Sequence, residues 1–322
     1  MRSSTKRIRY HHIMTSKHLF IAGDWGTSNL RLYLCEYRAD QASIIIDTRF
    51  GPGVSEINGD FEDKFFNLIQ DWLDQYGAVP VLLSGMVGST IGWKDAPYLT
   101  CPVDVNKIAN GRFCFQARGI DFSILAGLKT NNPLGSPDVM RGEELQLLGW
   151  MRLNNLEQGR RLFALPGTHN KWTLVEDGAI NNFLTAFTGE LFSLLRRNSI
   201  LITDDNAINF NQDVFMQAVH AIQNLGEAHL IHALFATRSK QVLGEMAASD
   251  GLSYLSGLIA AADIIGATKL FNKTDSVTVI GEPTLTNQYM LVLEHLDIAA
   301  QACDPAQIAI AGFEAIYQNL YT

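Results

Sequence analysis

"GDWGTSNLR" spans residues 23–31, and "PGTHNKW" spans residues 166–172. Both contain Gly-Thr-x-Asn, and each follows an apolar run, LFIA in the first case and LFAL in the second. Gly26 and Gly167 stand 141 residues apart, about the length of a domain. The surroundings repeat as well. "LFIAGDWG" (19–26), "LRLYLCEY" (30–37) and "ASIIIDTRF" (42–50) read as three strands joined by short turns, an antiparallel meander. "RLFALPGTHN" (161–170), "KWTLVEDG" (171–178) and "AINNFLTAF" (179–187) read the same way. Two copies in register are the mark of a duplicated two-lobe protein rather than a solenoid.

The remaining segments extend this order. "DFEDKFFNLIQDWLDQYG" (60–77) has helical spacing of Phe65, Leu68, Ile69, Trp72 and Leu73, with Gly77 after the last turn. "VPVLLSGM" (79–86) and "DFSILAGL" (121–128) are predicted strands, and "DVMRGEELQLLGWMRL" (138–153) a helix with Asp138 near its start. A long helical stretch is expected from Thr188 to Phe271, then a strand over 276–283 and helices over 284–296 and 305–321. The expected architecture is α/β, with lobes over 18–155 and 156–322 behind a basic leader, residues 1–17.

Composition bounds the function. At 322 residues, 47% hydrophobic and 18% charged, the chain suits two soluble domains with real cores. A net charge of −8 argues against a broad nucleic-acid surface, though not against a small anionic substrate. The four cysteines form no C-x-x-C pair, so reduced thiols in a cytoplasmic protein are expected. No uncharged apolar run reaches about 18 residues, so no membrane span is expected; the nearest, 255–267, carries Asp263. The leader has five Lys and Arg, no acid and no secretory apolar core. It reads as disordered, with an organellar address or basic tail as the other readings and Met14 as an alternative start. The sequence admits a homodimer without specifying one.

Two such turns suit phosphate. Glycine lets backbone approach an anion closely and adopt positive φ, and successive turn N–H groups make an anion nest. Gly26, Thr27, Ser28 and Asn29 would face Gly167, Thr168 and His169 across a nucleotide's phosphates, with hydroxyls adding donors. Asp24, at a strand end beside them, could hold Mg²⁺ directly or through water. A single Gly-Thr-Ser-Asn is also simply a good hairpin turn. Two copies in register, one preceded by Asp-x-Gly, favour phosphate.

"AGDWGTSNLR" resembles the first phosphate hairpin of the sugar kinase, heat-shock chaperone and actin superfamily. "SGMVGSTIGWKDAPYLTCPV" (84–103), "VMRGEE" (139–144), "LPGTHNKW" (165–172), "TGEL" (188–191) and "LSGLIAAAD" (255–263) together resemble the 2-dehydro-3-deoxygalactonokinase family, from about residue 18 onward. The resemblance implies two actin-like (ribonuclease H-like) lobes with a nucleotide cleft between them. It also implies phosphoryl transfer from ATP to the terminal hydroxyl of 2-dehydro-3-deoxy-D-galactonate.

Such chemistry is mostly positioning and charge neutralisation. Lys171 and Arg31 could add positive charge at the phosphates, or be solvated strand residues; His169 could donate to phosphate or cap its own turn. The acceptor hydroxyl needs a carboxylate base. Glu143 and Glu144 are the candidates, with Glu190 third; both could instead decorate a helix N-terminus. The stretch also looks like the segment carrying the catalytic Glu in exopolyphosphatase relatives, which selects Glu143. No acid stands in the strand before the second hairpin, where many sugar kinases of the superfamily carry one. Arg141 is the first choice for the sugar-acid carboxylate, with Lys94 behind it. Ser84, Gly85, Met86 and Gly88 would form the substrate loop, and Trp93 an apolar wall or ordinary core. "VIGEPTLT" (279–286) looks like the family's adenosine loop, with Gly281 against the base and Thr284 at the ribose or capping the next helix. A kinase for the gluconate epimer, an exopolyphosphatase-type hydrolase and a non-catalytic sugar sensor stay open on the residues alone.

Overall fold

The structure is a computed structural model, and it describes residues 19–39, 42–155, 158–203, 209–272 and 276–321. The predicted leader, residues 1–17, lies outside the described residues.

The first half contains β1 (Leu19–Trp25), β2 (Asn29–Glu36), β3 (Ile44–Pro52), α1 (Phe61–Tyr76), β4 (Val81–Ser84), β5 (Tyr98–Thr100), α2 (Val105–Asn110), β6 (Phe113–Ala117), β7 (Ile120–Ile124), β8 (Gly127–Asn131), β9 (Pro137–Met140) and α3 (Glu143–Asn154). The second half contains β10 (Arg160–Leu165), β11 (Asn170–Glu176), β12 (Ala179–Ala186), α4 (Thr188–Asn198), α5 (Gln212–Leu225), α6 (Leu230–Leu234), α7 (Ala236–Val242), α8 (Gly251–Leu270), β13 (Val277–Ile280), α9 (Pro283–His295), β14 (Ala300–Cys303) and α10 (Pro305–Tyr321).

A six-stranded sheet has the order β3-β2-β1-β4-β7-β6, and a five-stranded sheet the order β12-β11-β10-β13-β14. In both, an antiparallel meander occupies one side, and the first strand of the meander pairs in parallel with the next strand outward. Alternation along the central strands sends side chains to two different cores. Leu19 and Ile21 face α1, whereas Phe20 and Ala22 enter a core that also receives Phe163 and Leu165 from β10. Leu162 and Ala164 point the other way, toward α5, α8 and α9. Helices α2, α3 and α10 therefore lie between the two sheets, in a core that both share.

Helices α3 and α10 cross with their backbones touching. A Cβ on Gly149 would lie 1.8 Å from the carbonyl oxygen of Ile308, and one on Gly312 would lie 2.2 Å from that of Leu145. Helix α8 is long and apolar enough to cross a membrane, yet 67% of its apolar window is buried in the protein, much of it in the core around α5 and α9.

Three expectations change. The helix expected over 138–153 begins only at Glu143, because Gly142 takes φ 107° and Asp138 belongs to β9. β5, β8 and β9 form a separate three-stranded sheet that the sequence reading missed. The chain after β5 reaches the second half through Val103, bridged to Ile180, and β8 does so through Thr130, which donates to Asn182 at 3.0 Å. The single helical stretch expected over 188–271 is divided into α4 to α8.

Candidate active site

The first hairpin turns between β1 and β2, with Thr27, Ser28 and Asn29 exposed at its tip. It is braced from behind. Val54 and Ser55 donate backbone N–H groups to the carbonyls of Gly26 and Thr27, both at 3.0 Å, and the Ser55 hydroxyl adds a bond to Thr27 at 2.8 Å. Gly53 is required there, since a Cβ would sit 2.2 Å from the Thr27 carbonyl oxygen. The second hairpin, between β10 and β11, has the same kind of support. Glu190 donates its N–H to the Thr168 carbonyl at 2.9 Å, and a Cβ on Gly189 would lie 2.3 Å from the Gly167 carbonyl oxygen. Gly26 and Gly167 are not among the positive-φ glycines, contrary to expectation. A Cβ on Gly167 would meet nothing within 4 Å, so it is the bare backbone that these positions offer.

Two left-handed glycines lie deeper. Gly85 has φ 97° and Gly142 φ 107°, and a Cβ on Gly142 would lie 3.4 Å from the Gly85 Cα. The two turns meet at a cavity of about 190 Å³ lined by Asp24, Gly26, Met86, Arg141 and Glu143, among others. Burial pushes the Asp24 carboxyl up, and Arg31, its cross-strand neighbour on β2, opposes the shift. Burial likewise raises Glu143; Lys171, the N–H groups at the start of α3 and His169 act against it. A carboxylate on the first residue of α3 thus feels two side chains of the second hairpin, across the two halves of the chain.

Glu144 points elsewhere. It is fully buried, accepts the Gly142 N–H at 2.6 Å and receives the Ser84 hydroxyl at 3.3 Å. Burial first, and the neighbouring Glu143 second, push its carboxyl up to about 8. A group in that position ties turns together and is closed to a substrate hydroxyl. Glu190 is taken by His169, whose Nε2 lies 2.6 Å from its carboxylate, and the imidazole stacks on Phe187 with centroids 5.5 Å apart.

Lys171 is buried on β11, and its ammonium donates to the Thr185 hydroxyl at 2.9 Å. Thr185 in turn donates to Asp138 of β9 at 2.5 Å through its hydroxyl and at 2.8 Å through its N–H. This tie between β12 and the small sheet holds Asp138 in β9.

Beyond the second hairpin lies an apolar pocket of about 330 Å³. Pro166 and Gly167 form one end, Phe192, Phe210 and Ile259 the walls, and Thr284 with Tyr289 the side nearest α9. The cap of α9 is Glu282, whose carboxylate accepts from the N–H and hydroxyl of Thr284 at 3.0 and 3.1 Å. Thr284 is therefore not the cap, but it does line the pocket. Gly281 packs on Pro166, where a Cβ would come within 3.1 Å of the ring.

Other expectations are corrected by packing. Trp93 is half-buried and stands in an aromatic cluster, with ring centroids 5.1 Å from Phe122, 5.2 Å from Phe115 and 6.3 Å from Trp25, so its ring packs on the core. Lys94 lies over the Phe115 ring at 5.5 Å and does not line the cavity. Arg141 does not present a free bidentate fork. Its guanidinium donates to the Ala96 carbonyl at 2.8 Å and covers the Tyr98 ring at 4.4 Å, and a Cβ on Gly88 would touch it. Arg141 braces the 85–96 loop.

The family model described as 2-keto-3-deoxy-galactonokinase matches residues 24–316. The chain is 30% identical over 290 residues to the 2-dehydro-3-deoxygalactonokinase of Escherichia coli strain K12, covering 89% of this chain and 94% of that one. It is also 30% identical over 314 residues to a Rhizobium meliloti strain 1021 protein named "Probable 2-dehydro-3-deoxygalactonokinase DgoK1", covering 96% and 99%. A crystal structure of a Sinorhizobium meliloti protein of the same family superposes with a TM-score of 0.79 at 30% identity, covering 92% and 97%. With the family model spanning most of its length and relatives covered nearly end to end, this chain belongs to the 2-keto-3-deoxy-galactonokinase family.

Proposed function

We propose that this protein transfers the terminal phosphoryl group of ATP to the 6-hydroxyl of 2-dehydro-3-deoxy-D-galactonate, using a cleft between two actin-like lobes, residues 18–155 and 156–322, related by duplication. The matching strand orders of the two sheets and the paired bracing of the two hairpins support the duplication. One observation carries the reading of the site: Glu143 lies at a cavity beside Asp24 and Gly85 while Lys171 and His169 of the second hairpin act on its charge.

In this reading the apolar pocket takes the adenosine, and the hairpins Gly26–Asn29 and Gly167–His169 take the phosphates. Arg31 and Lys171 supply positive charge. Glu143 receives the proton of the sugar hydroxyl, and the 84–88 loop, held by Arg141, seats the sugar acid. Among the described residues, no three His, Cys, Asp or Glu side chains could cage a metal. Two carboxylates at one cavity instead suit Mg²⁺ carried on nucleotide phosphates, which takes few protein ligands and keeps several waters. Asp24 would hold it, and the ion would offset phosphate charge. Lobe closure would keep water from competing with the sugar hydroxyl. ATP as donor fits a cytoplasmic protein.

The test is ADP release from Mg-ATP with 2-dehydro-3-deoxy-D-galactonate, with its gluconate epimer, and with no acceptor. Preference for the galactonate is the expected result. Equal turnover of both epimers would broaden the substrate class, and phosphate release without acceptor would make the protein a hydrolase.

A further inference from the structure

Asp263 is an acid inside an apolar helix. On α8 it sits among Leu258, Ala260, Ala261, Ala262 and Ile264, and its carboxylate is closed in by neutral donors. Oδ1 accepts the Trp172 indole N–H at 2.9 Å. Oδ2 accepts the Asn170 amide at 2.6 Å and the Tyr289 hydroxyl at 2.5 Å. Burial pushes this carboxyl up and the three donors pull it back. A buried acid costs stability that a well-packed apolar residue would not, so geometry is what the three bonds supply.

Asn170 and Trp172 are two residues apart on β11 and share one face. Lys171 lies between them on the opposite face, its ammonium on Thr185, and His169 stands in the turn just before β11; the charges of both act on Glu143. Fixing the first pair therefore fixes the setting of Lys171 and of that turn. Tyr289 carries the connection further, because it lines the apolar pocket and bonds with the Thr188 side chain behind the second hairpin.

We propose that Asp263 is a positioning residue for phosphoryl transfer: it anchors one face of β11 and so fixes the setting of Lys171 and of the turn that carries His169, and through Tyr289 it ties that setting to the wall of the nucleotide pocket. The inference rests on the kinase reading given above.

Two variants test it, Tyr289→Phe and Asp263→Leu, each checked for folding by thermal melting. Steady-state kinetics with ATP and the sugar acid are read beside amide exchange at residues 167–172. Tyr289→Phe keeps the ring and removes one donor; kcat/KM for ATP should fall about tenfold, with faster exchange in the hairpin and unchanged exchange in β10 and β13. Asp263→Leu releases all three donors and should lower kcat by about 10²-fold, the scale of a displaced catalytic group. Lower melting temperatures with kcat, KM and hairpin exchange unchanged would overturn the proposal, leaving Asp263 a purely structural residue. Should Asp263→Leu fail to fold, Tyr289→Phe decides alone. If the wild type releases no ADP, the kinase reading has failed; hairpin exchange in Tyr289→Phe then still decides whether this cluster sets the hairpin.

Discussion

The Ser84 hydroxyl donates to Glu144 across 60 positions of sequence, joining the end of β4 to the first turn of α3. Because Glu144 also accepts the Gly142 N–H, one buried carboxyl locks the two turns that form the Glu143 cavity. The adjacent acids thus divide their work, one holding the site and the other facing it.

Glu144 gives stability a pH dependence. Its carboxyl is raised from 4.5 to about 8, so between those values the folded chain keeps a proton that the unfolded chain has lost. The contribution is fully present below the unfolded value and is lost as pH climbs toward 8. Glu144→Gln keeps an acceptor for Gly142 and removes the titration. Its urea midpoint should vary less than that of the wild type between about pH 5 and about pH 8; equal slopes would refute the assignment.

Glu143→Gln should lower kcat by at least about 10²-fold with little change in melting temperature. Glu190→Gln should cost far less, since that carboxylate serves His169. ADP release from the two proteins side by side separates base from neighbour, and a larger loss at Glu190 would reverse the roles.

The bracing glycines offer a matched pair. Gly53→Ala and Gly189→Ala each force a methyl against hairpin backbone, at 2.2 and 2.3 Å, and backbone cannot step aside as a side chain can. Both variants should raise KM for ATP at least about tenfold. An effect at only one position would mean that only one hairpin meets the nucleotide.

Gly85→Ala combines two faults, a φ of 97° and a Cβ 2.7 Å from the Trp25 carbonyl oxygen. A loss of about 1–3 kcal/mol in urea unfolding is expected from the strained conformation alone. Gly59→Ala is the control. It has φ 83° but nothing within 4 Å of a Cβ, and it should be milder.

Sugar acid added with nucleotide should slow amide exchange in both hairpins, residues 24–30 and 166–172. Protection of one hairpin alone would count against a cleft that closes from both sides.

Much of this was legible in the sequence. The meanders announce themselves through apolar strands broken by Gly-Thr-x-Asn, because turn chemistry and strand alternation are local. The onset of α3 was not legible. Asp138 reads as lying near the start of a helix until β8 pairs with β9 and Thr185 claims its carboxylate, and both events depend on distant chain. Arg141 as a free fork and the choice between two readings of Trp93 were not legible for the same reason, since residue type cannot say whether an aromatic cluster or a carbonyl has already engaged a side chain. Asp263 did leave a signal, a lone acid in an apolar run, but its three donors come from two other elements.

The contact of α3 with α10 has a consequence for the order in which the protein is made. Glu143 opens α3, and Ala309 of α10 lines its cavity, while Gly149 and Gly312 let the two backbones touch. The ribosome adds α10 more than a hundred residues after α3. Throughout that interval the nascent chain holds its proposed base without the helix that seats it, so translation must run through α10 before the polypeptide can acquire activity.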